Sequence, residues 1–245
     1  KMSLIYQFAQ TYLSQVSKNL CADLSKPELD RFITDRFNSF NAAIQQDGYL
    51  KLSQELSPFS ETKHWVFEYI HKDAPFLLIT FETLFKKYNL HISRTYHPIL
   101  SIDLTDKKQI QSIYKPKENT HLMSAIYIEF IDHISDDIYD KLLSEIKQIA
   151  SAAYLSHQDQ APIMAHLQSV KGHLLAMHQK GHDATEWVNL IEWLDHDHFS
   201  IFGYGAITHF PQTDRVKFAK KEGLGILSSD YLDASSLVRI VKAQS

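Results

Sequence analysis

From His64 onward the spacing of apolar residues switches repeatedly between a period of two and a period near 3.6, and this succession restricts the fold more than any other feature. "HWVFEYIHK" alternates Trp65, Phe67 and Tyr69 with Val66, Glu68 and Ile70, which predicts a strand with two largely apolar faces. "DAPFLLITFETLFKKYNL" then predicts a helix. Asp73 can cap it, Pro75 fits its first turn because the missing N–H is not needed there, and Leu77, Phe81, Leu84 and Tyr88 form one stripe. Asn89 closes it, and "LHISRTYHPILSIDLT" reads as one long strand with a bend or edge at Tyr96-His97-Pro98, where proline removes a ladder donor. Lys107 to Tyr114 completes a hairpin. "THLMSAIYIEFI" is a further strand, with Met123, Ala125, Tyr127 and Glu129 opposite Ser124, Ile126, Ile128 and Phe130. Ser135 caps a last helix in this region, with Asp136 and Asp137 at its positive end and Ile138, Leu142, Ile146 and Ile149 as its stripe.

Strand, helix, strand, strand, helix is the ferredoxin-like order. The predicted class is α+β, an antiparallel sheet with helices on one face burying both stripes. A fourth strand is not apparent after Ser151, where the pattern stays helical. Helices precede the unit. In "PELDRFITDRFNSFNAAIQQ" Leu29, Phe32, Ile33, Phe37, Phe40 and Ala43 or Ile44 share a face, Ser25 is the cap, and Asp47-Gly48 is a turn. A helical pair follows. Ile163, Leu167, Val170, Leu174 and Met177 repeat at three and four, and after Gly181 so do Trp187, Leu190, Ile191 and Leu194, as in an αα-hairpin. "HFSIFGYGAITHF", "RVKFAK" and "EGLGIL" predict a small β element at the end.

The composition excludes several functions. A net charge of −4 and a pI near 6.4 give no general attraction to nucleic acid or to an anionic membrane. The basic runs at Lys107-Lys108 and Lys217 to Lys221 are short and read as solvated surface. No apolar run approaches the roughly 18 residues of a membrane helix. One cysteine, Cys21, allows no intrachain disulfide, which suits the cytoplasm. The seven glycines include none between Gly48 and Gly172, and the pairs Gly203/Gly205 and Gly223/Gly225 lack the third glycine of a dinucleotide fingerprint. With no phosphate loop and no G-x-S-x-G elbow, a complete nucleotide-dependent enzyme is not expected within these residues.

Three stretches resemble the N-terminal region of the large bacterial NAD-specific glutamate dehydrogenases. They are "HKDAPFLLITFETLFKKYNLHISRTYHPIL", "IYIEF" with the long helix after it, and "WLDHDHFSIFGY" with "GLGIL" beyond; "FAQTYLSQVSKNL" is similar more weakly. The resemblance implies a helical segment over 1–54, an ACT-like βαββα domain over 55–153, a helical hairpin over 154–196 and the start of a partly β domain over 197–245. It implies a parent enzyme that deaminates L-glutamate to 2-oxoglutarate with NAD, its catalytic domain lying further along the chain. This segment would hold no cofactor or metal and no catalytic residue. Its partners would be the rest of the parent chain, further copies in a homo-oligomer and an amino-acid effector, in the cytoplasm, with no nucleic acid or membrane. "VRIVKAQS" has the composition of an element rather than a tail, so continuation past Ser245 is expected. The candidate ligand or interface loop is Asp73, Ala74, Pro75 and Phe76. ACT loops often read Asp-x-Pro-Gly there, with glycine letting a ligand approach the backbone; Phe76 departs from this and argues against such an approach.

Other constellations have plainer readings. His173, His178, His182 and Asp183 could hold zinc, but Gly181 interrupts the spacing and no H-E-x-x-H is present, so solvated histidines are expected. Asp195, His196, Asp197 and His198 mark a helix-to-strand junction, since neighbours on a strand point to opposite faces. Alternation places His91 and His97 on one face, one of them as a buried, hydrogen-bonded histidine. Three functions compete on this sequence. They are a regulatory and assembly region of glutamate dehydrogenase, an amino-acid-sensing ACT-type module acting as an allosteric site, and a metal-dependent hydrolase, for which the spacing is unsuitable.

Overall fold

In the computed structural model, which describes residues 2–16, 20, 23–60, 62–195, 200–210, 215–218 and 222–228, the pattern from His64 to Phe130 becomes an antiparallel sheet. Ahead of it lie α1 (Leu4–Leu13) and α2 (Lys26–Gln46). Helix α2 begins as expected: the Glu28 carboxylate accepts the Ser25 N–H at 2.7 Å, and the Ser25 carbonyl accepts the Leu29 N–H at 2.9 Å. It ends at Asp47 and Gly48, with φ of 57° and 132°. The φ of Gly48 calls for glycine, and a Cβ there would also have to displace the His71 ring, whose Cδ2 would lie 2.7 Å away.

The next element is a strand that the sequence reading did not contain, β1 (Tyr49–Leu56), paired residue for residue with β2 (Lys63–Lys72) from Tyr49↔Ile70 to Leu56↔Lys63. Helix α3 (Leu77–Lys87) leads to β3 (Ile92–Tyr96) and β4 (Ile99–Leu104), then β5 (Ile110–Tyr114), β6 (His121–Phe130) and α4 (Asp136–Gln158). The order across the sheet is β1-β2-β6-β4-β5, with β3 also paired to β6. The one long strand expected over Leu90–Thr105 is thus two, both lying along β6 and separated at His97-Pro98. Pro98 has no N–H to offer, but its carbonyl still accepts the Ala125 N–H at 3.0 Å. Strand β1 covers the outer edge of β2, the place a fourth strand after the last helix would take, so that edge is closed from the N-terminal side.

The sheet is covered on both faces rather than the expected one. Met123, Ala125 and Tyr127 join Phe8, Tyr12, Phe32 and Phe40 of α1 and α2 in one core. On the opposite face the Phe67 ring lies 5.1 Å from those of both Phe81 and Phe85, and Phe85 lies 4.8 Å from Phe130. The cause is the strand composition: β6 is buried at every position from Met123 to Phe130, and water cannot be left on either face of such a strand. Fully buried Phe8 and Phe40 each contribute on the order of 1.5–3 kcal/mol by leaving water. Helix α1 and the turn after it also serve the sheet's polar groups. The Gln15 side-chain amide donates to the Ile99 carbonyl (2.7 Å) and accepts its N–H (3.0 Å), and Gln7 accepts the Ile113 N–H (2.8 Å).

The contacts divide the chain into two compact units, Lys1–Ile146 and Lys147–Ser245. Residues 1–54, read from sequence as a segment of their own, lie in the first unit with the sheet. In the second unit α5 (Gln160–Gln179) ends at Gly181 (φ 88°) with a Schellman pair: Gly181 N–H donates to the His178 carbonyl and His182 N–H to that of Met177. Helix α6 (Thr185–Trp193) follows, tied to α5 by Lys171–Glu192 at 2.9 Å. The two apolar stripes expected here are not a buried core. Ile163 is buried, but Val170, Met177, Trp187, Leu190 and Trp193 are all more than 40% exposed. The expected strand through Phe202–Phe210 divides into β7 (Gly203–Tyr204), paired with β10 (Leu224–Gly225), and β8 (Ile207–Phe210), paired with β9 (Arg215–Phe218). Among the described residues, no helix is long and apolar enough to cross a membrane.

Candidate functional site

The loop Asp73–Phe76 joins β2 to α3. Asp73 N–H donates to the Leu122 carbonyl at 2.8 Å, and the Asp73 carboxylate accepts the Ser124 hydroxyl proton at 2.5 Å. His97 Nε2 lies 2.9 Å from the same hydroxyl. Because the Ser124 proton is committed to Asp73, its oxygen is left to accept, and His97 donates through Nε2–H. Burial holds His97 below its ordinary pKa, opposed by the Asp73 charge. A serine that donates to a carboxylate while a histidine donates to it is not an activated nucleophile, which needs a base to take its proton. This trio holds the end of β2, the β3–β4 bend and β6 together.

Phe76 keeps the left-handed conformation a glycine would adopt, with φ 67° and ψ 1°, and its carbonyl accepts from the Thr80 N–H (3.0 Å) and hydroxyl (2.7 Å) in the first turn of α3. Holding a residue with a Cβ there costs roughly 1–2 kcal/mol. Ala74 is buried, Pro75 exposed, and the Phe76 ring half exposed. The fourth residue of this loop is therefore left-handed although it is not a glycine.

A concavity lies elsewhere, a pocket of about 610 Å³ beside α2 and the β1–β2 turn. Its buried walls include Phe32, Arg36, Ser57, Val66 and Tyr127, and its exposed walls include Arg31 and Asp35. Arg36 Nε lies 3.1 Å from Glu68 Oε1, the two side chains being 8% and 1% exposed. The pair meets by charge: neither atom completes a hydrogen bond, although the other Glu68 oxygen accepts from Ser39 at 3.1 Å. Burial raises the Glu68 pKa and Arg36 opposes it. For Arg36, burial works against the charge, but Glu68 and its other neighbours outweigh that and hold the guanidinium charged. The guanidinium lies over Tyr127, 4.8 Å from the ring centroid, and Phe32, at 5.3 Å. Burial raises the pKa of the Tyr127 hydroxyl. At the pocket's edge Arg94 lies 4.1 Å over the Phe59 ring, 3.0 Å from Asp23 and 3.7 Å from the buried Glu129.

Periodicity alone does not single out these residues, although the sequence carries a signal for them. Arg36 stands four residues after Phe32 and four before Phe40, on the apolar stripe of α2, while Glu68 and Glu129 interrupt two otherwise apolar strands. Pairing then sets Glu68 directly opposite Tyr127, and Val66 opposite Glu129.

The histidine constellations do not assemble. His173, His178 and His182 are exposed, and the Asp183 carboxylate instead accepts the Thr185 N–H at 3.2 Å. His91 lies before β3, exposed, 3.0 Å from Asp132, whereas His97 is partly buried on Ser124; the two share no partner. Asp195 lies in a π-helical continuation of α6, and His196, Asp197 and His198 lie outside the described residues. Among the described residues, no three His, Cys, Asp or Glu side chains converge as a metal site would need.

No curated protein matches the chain. The profile of the family described as glutamate dehydrogenase, ACT1 domain, matches residues 8–148, more than half of the sequence. The matched span nearly coincides with the first compact unit, Lys1–Ile146, so it takes in the preceding helices and β1 together with the βαββα unit. On that match and that fold, the chain belongs to the glutamate dehydrogenase ACT1 domain family.

Proposed function

We propose that this chain is a non-catalytic regulatory and assembly region of a large NAD-dependent glutamate dehydrogenase, acting in the cytoplasm within a homo-oligomer. The observation that carries the reading is the family match over a span that is itself one compact unit. The parent enzyme would convert L-glutamate, NAD and water to 2-oxoglutarate, ammonia and NADH, and the loop Asp73–Phe76 would serve as a contact surface. On this reading NAD is bound outside these residues. Its pyrophosphate needs a glycine-rich strand-to-helix turn, whereas Gly203 and Gly225 are used to bring β7 against β10: a Cβ on Gly203 would lie 2.9 Å from the Leu224 carbonyl oxygen.

Two measurements test the proposal. The 245 residues alone should form no NADH from L-glutamate, and detectable turnover would refute a non-catalytic role. Removing the segment from the parent enzyme should change its oligomeric state or its response to effectors; an unchanged enzyme would refute a regulatory one.

A further inference from the structure

We propose that Ser60 is a covalent acylation site: its hydroxyl is a nucleophile that takes an acyl group from an uncharged activated ester, with His64 as the base. This goes beyond the regulatory reading and does not depend on it.

The loop between β1 and β2 sets up the arrangement. The Ser57 N–H donates to the Thr62 carbonyl at 3.0 Å, and the Phe59 N–H donates to the Ser57 hydroxyl at 3.1 Å. The loop so closed holds the exposed Ser60 and Thr62 hydroxyls against His64, the second residue of β2. Ser60 Oγ lies 3.1 Å and Thr62 Oγ1 2.9 Å from His64 Nε2, and the two oxygens are 3.0 Å apart. The other ring nitrogen, Nδ1, lies 3.1 Å from the Phe130 carbonyl oxygen. A carbonyl only accepts, so Nδ1 carries the proton and Nε2 of the neutral ring keeps the lone pair. That lone pair faces both hydroxyls, and the Ser60 proton reaches it directly or through Thr62. A hydroxyl, a base within hydrogen-bond reach and a third group that orients the base are the parts of an activated nucleophile. Here the orienting group is a backbone carbonyl of β6. Proton donation runs opposite to that at Ser124, whose proton goes to Asp73 while His97 donates to its oxygen.

Ser60 is the reacting group because its oxygen sits on an unbranched carbon and because Ser60, unlike Thr62, lines the concavity beside α2. Leu56, Pro58 and Phe59 give the same wall an apolar surface for an acyl chain. The concavity also carries Asp23, Glu28, Asp35 and Glu55 against Arg31 and Arg36, and Arg36 is paired with Glu68. This excess of negative charge repels an anionic phosphoryl donor and leaves an uncharged ester as the matching electrophile. In the step itself, Ser60 Oγ bonds to the ester carbonyl carbon as its proton passes to His64 Nε2. The bond from that carbon to the leaving oxygen then breaks, and the leaving oxygen takes the proton from Nε2. The products are a Ser60 ester and a free alcohol, with nothing oxidised or reduced.

The test is incubation of the 245-residue chain with p-nitrophenyl acetate, the acetylated residues being located and timed by tandem mass spectrometry. Ser60 should carry the acetyl group. His64→Asn keeps an amide N–H for the Phe130 carbonyl but has no base, and should slow Ser60 acetylation by about a hundredfold, the usual scale of general-base catalysis. A slowing of less than about tenfold overturns the role of His64. Acetyl on Thr62 in place of Ser60, or only on lysines and other histidines, overturns the site. If circular dichroism shows His64→Asn to be misfolded, NMR of the imidazole nitrogens in the unaltered chain decides. A neutral His64 with its proton on Nδ1 supports the base, and one with its proton on Nε2 overturns it.

Discussion

Replacing Arg36 by methionine tests the buried ion pair beneath the pocket. The side chains of Arg36 and Glu68 are 8% and 1% exposed, so this is a desolvated pair and not one screened by water. Without Arg36 the Glu68 carboxylate stays in the core with one hydrogen bond, from Ser39. An uncompensated buried charge of this kind costs about 3–5 kcal/mol. Glu68 can limit that cost by taking up a proton. From its ordinary value of 4.5, protonation costs about 1.4 kcal/mol per pH unit, hence roughly 3.4 kcal/mol at pH 7 and about 0.7 kcal/mol at pH 5. The sign follows from linkage. Glu68 is already raised in the folded chain, and losing Arg36 raises it further, so its contribution is greatest below the ordinary value and is lost as pH rises. The Arg36→Met deficit should therefore shrink by about 2–3 kcal/mol between pH 7 and pH 5. Glu68→Gln, which leaves a guanidinium that cannot deprotonate, should cost a similar amount at both pH values. The double variant Arg36→Met/Glu68→Gln should lie within roughly 2 kcal/mol of the parent, because both charges are gone. Urea denaturation followed by far-ultraviolet circular dichroism measures all four proteins. Singles within about 1 kcal/mol of the parent, or a deficit in Arg36→Met that ignores pH, would refute the reasoning.

Two further outcomes follow from the loop. At Phe76 the order of the small residues should invert relative to a helix interior: Phe76→Gly should be more stable than Phe76→Ala by about 1 kcal/mol, since only glycine holds φ 67° without strain. Denaturation curves in which alanine equals or exceeds glycine would show that the left-handed turn is not kept. Ser124→Ala should cost about 1–3 kcal/mol by stranding His97 and Asp73, and should shift the His97 imidazole titration followed by NMR. A loss below about 0.5 kcal/mol with an unmoved His97 would mean that the trio does not tie the three elements together.

The elements that were legible in the sequence are those with strong local signals. Ser25 and Glu28 begin α2 through a hydrogen bond within four residues, and β6 reads as a strand because ten residues alternate between two faces. Strand β1 was not legible. "YLKLSQEL" has a single buried residue, Leu52, and the segment is extended because β2 offers it a ladder rather than because of its own composition. The candidate loop was found by its likeness to a known pattern, but its left-handed Phe76 was not, since glycine is what normally announces that conformation. The stripes of α5 and α6 misled, because periodicity says which residues share a face and not whether anything covers it.

The amino-acid order by itself determined the α+β class, the succession of elements from β2 to α4 apart from the division of one strand into β3 and β4, the turn at Asp47-Gly48 and the family likeness, all of which depend on residues close together in the chain. Only the tertiary structure decided that both faces of the sheet are covered, that its first edge is closed by a strand from the N-terminal side, and that Arg36, Glu68 and Tyr127 meet beside a pocket. Arg36 lies 32 residues from Glu68 and 91 from Tyr127. A charge on an apolar stripe has no defined partner until the strands are in register, and that register is set by burial over the whole sheet.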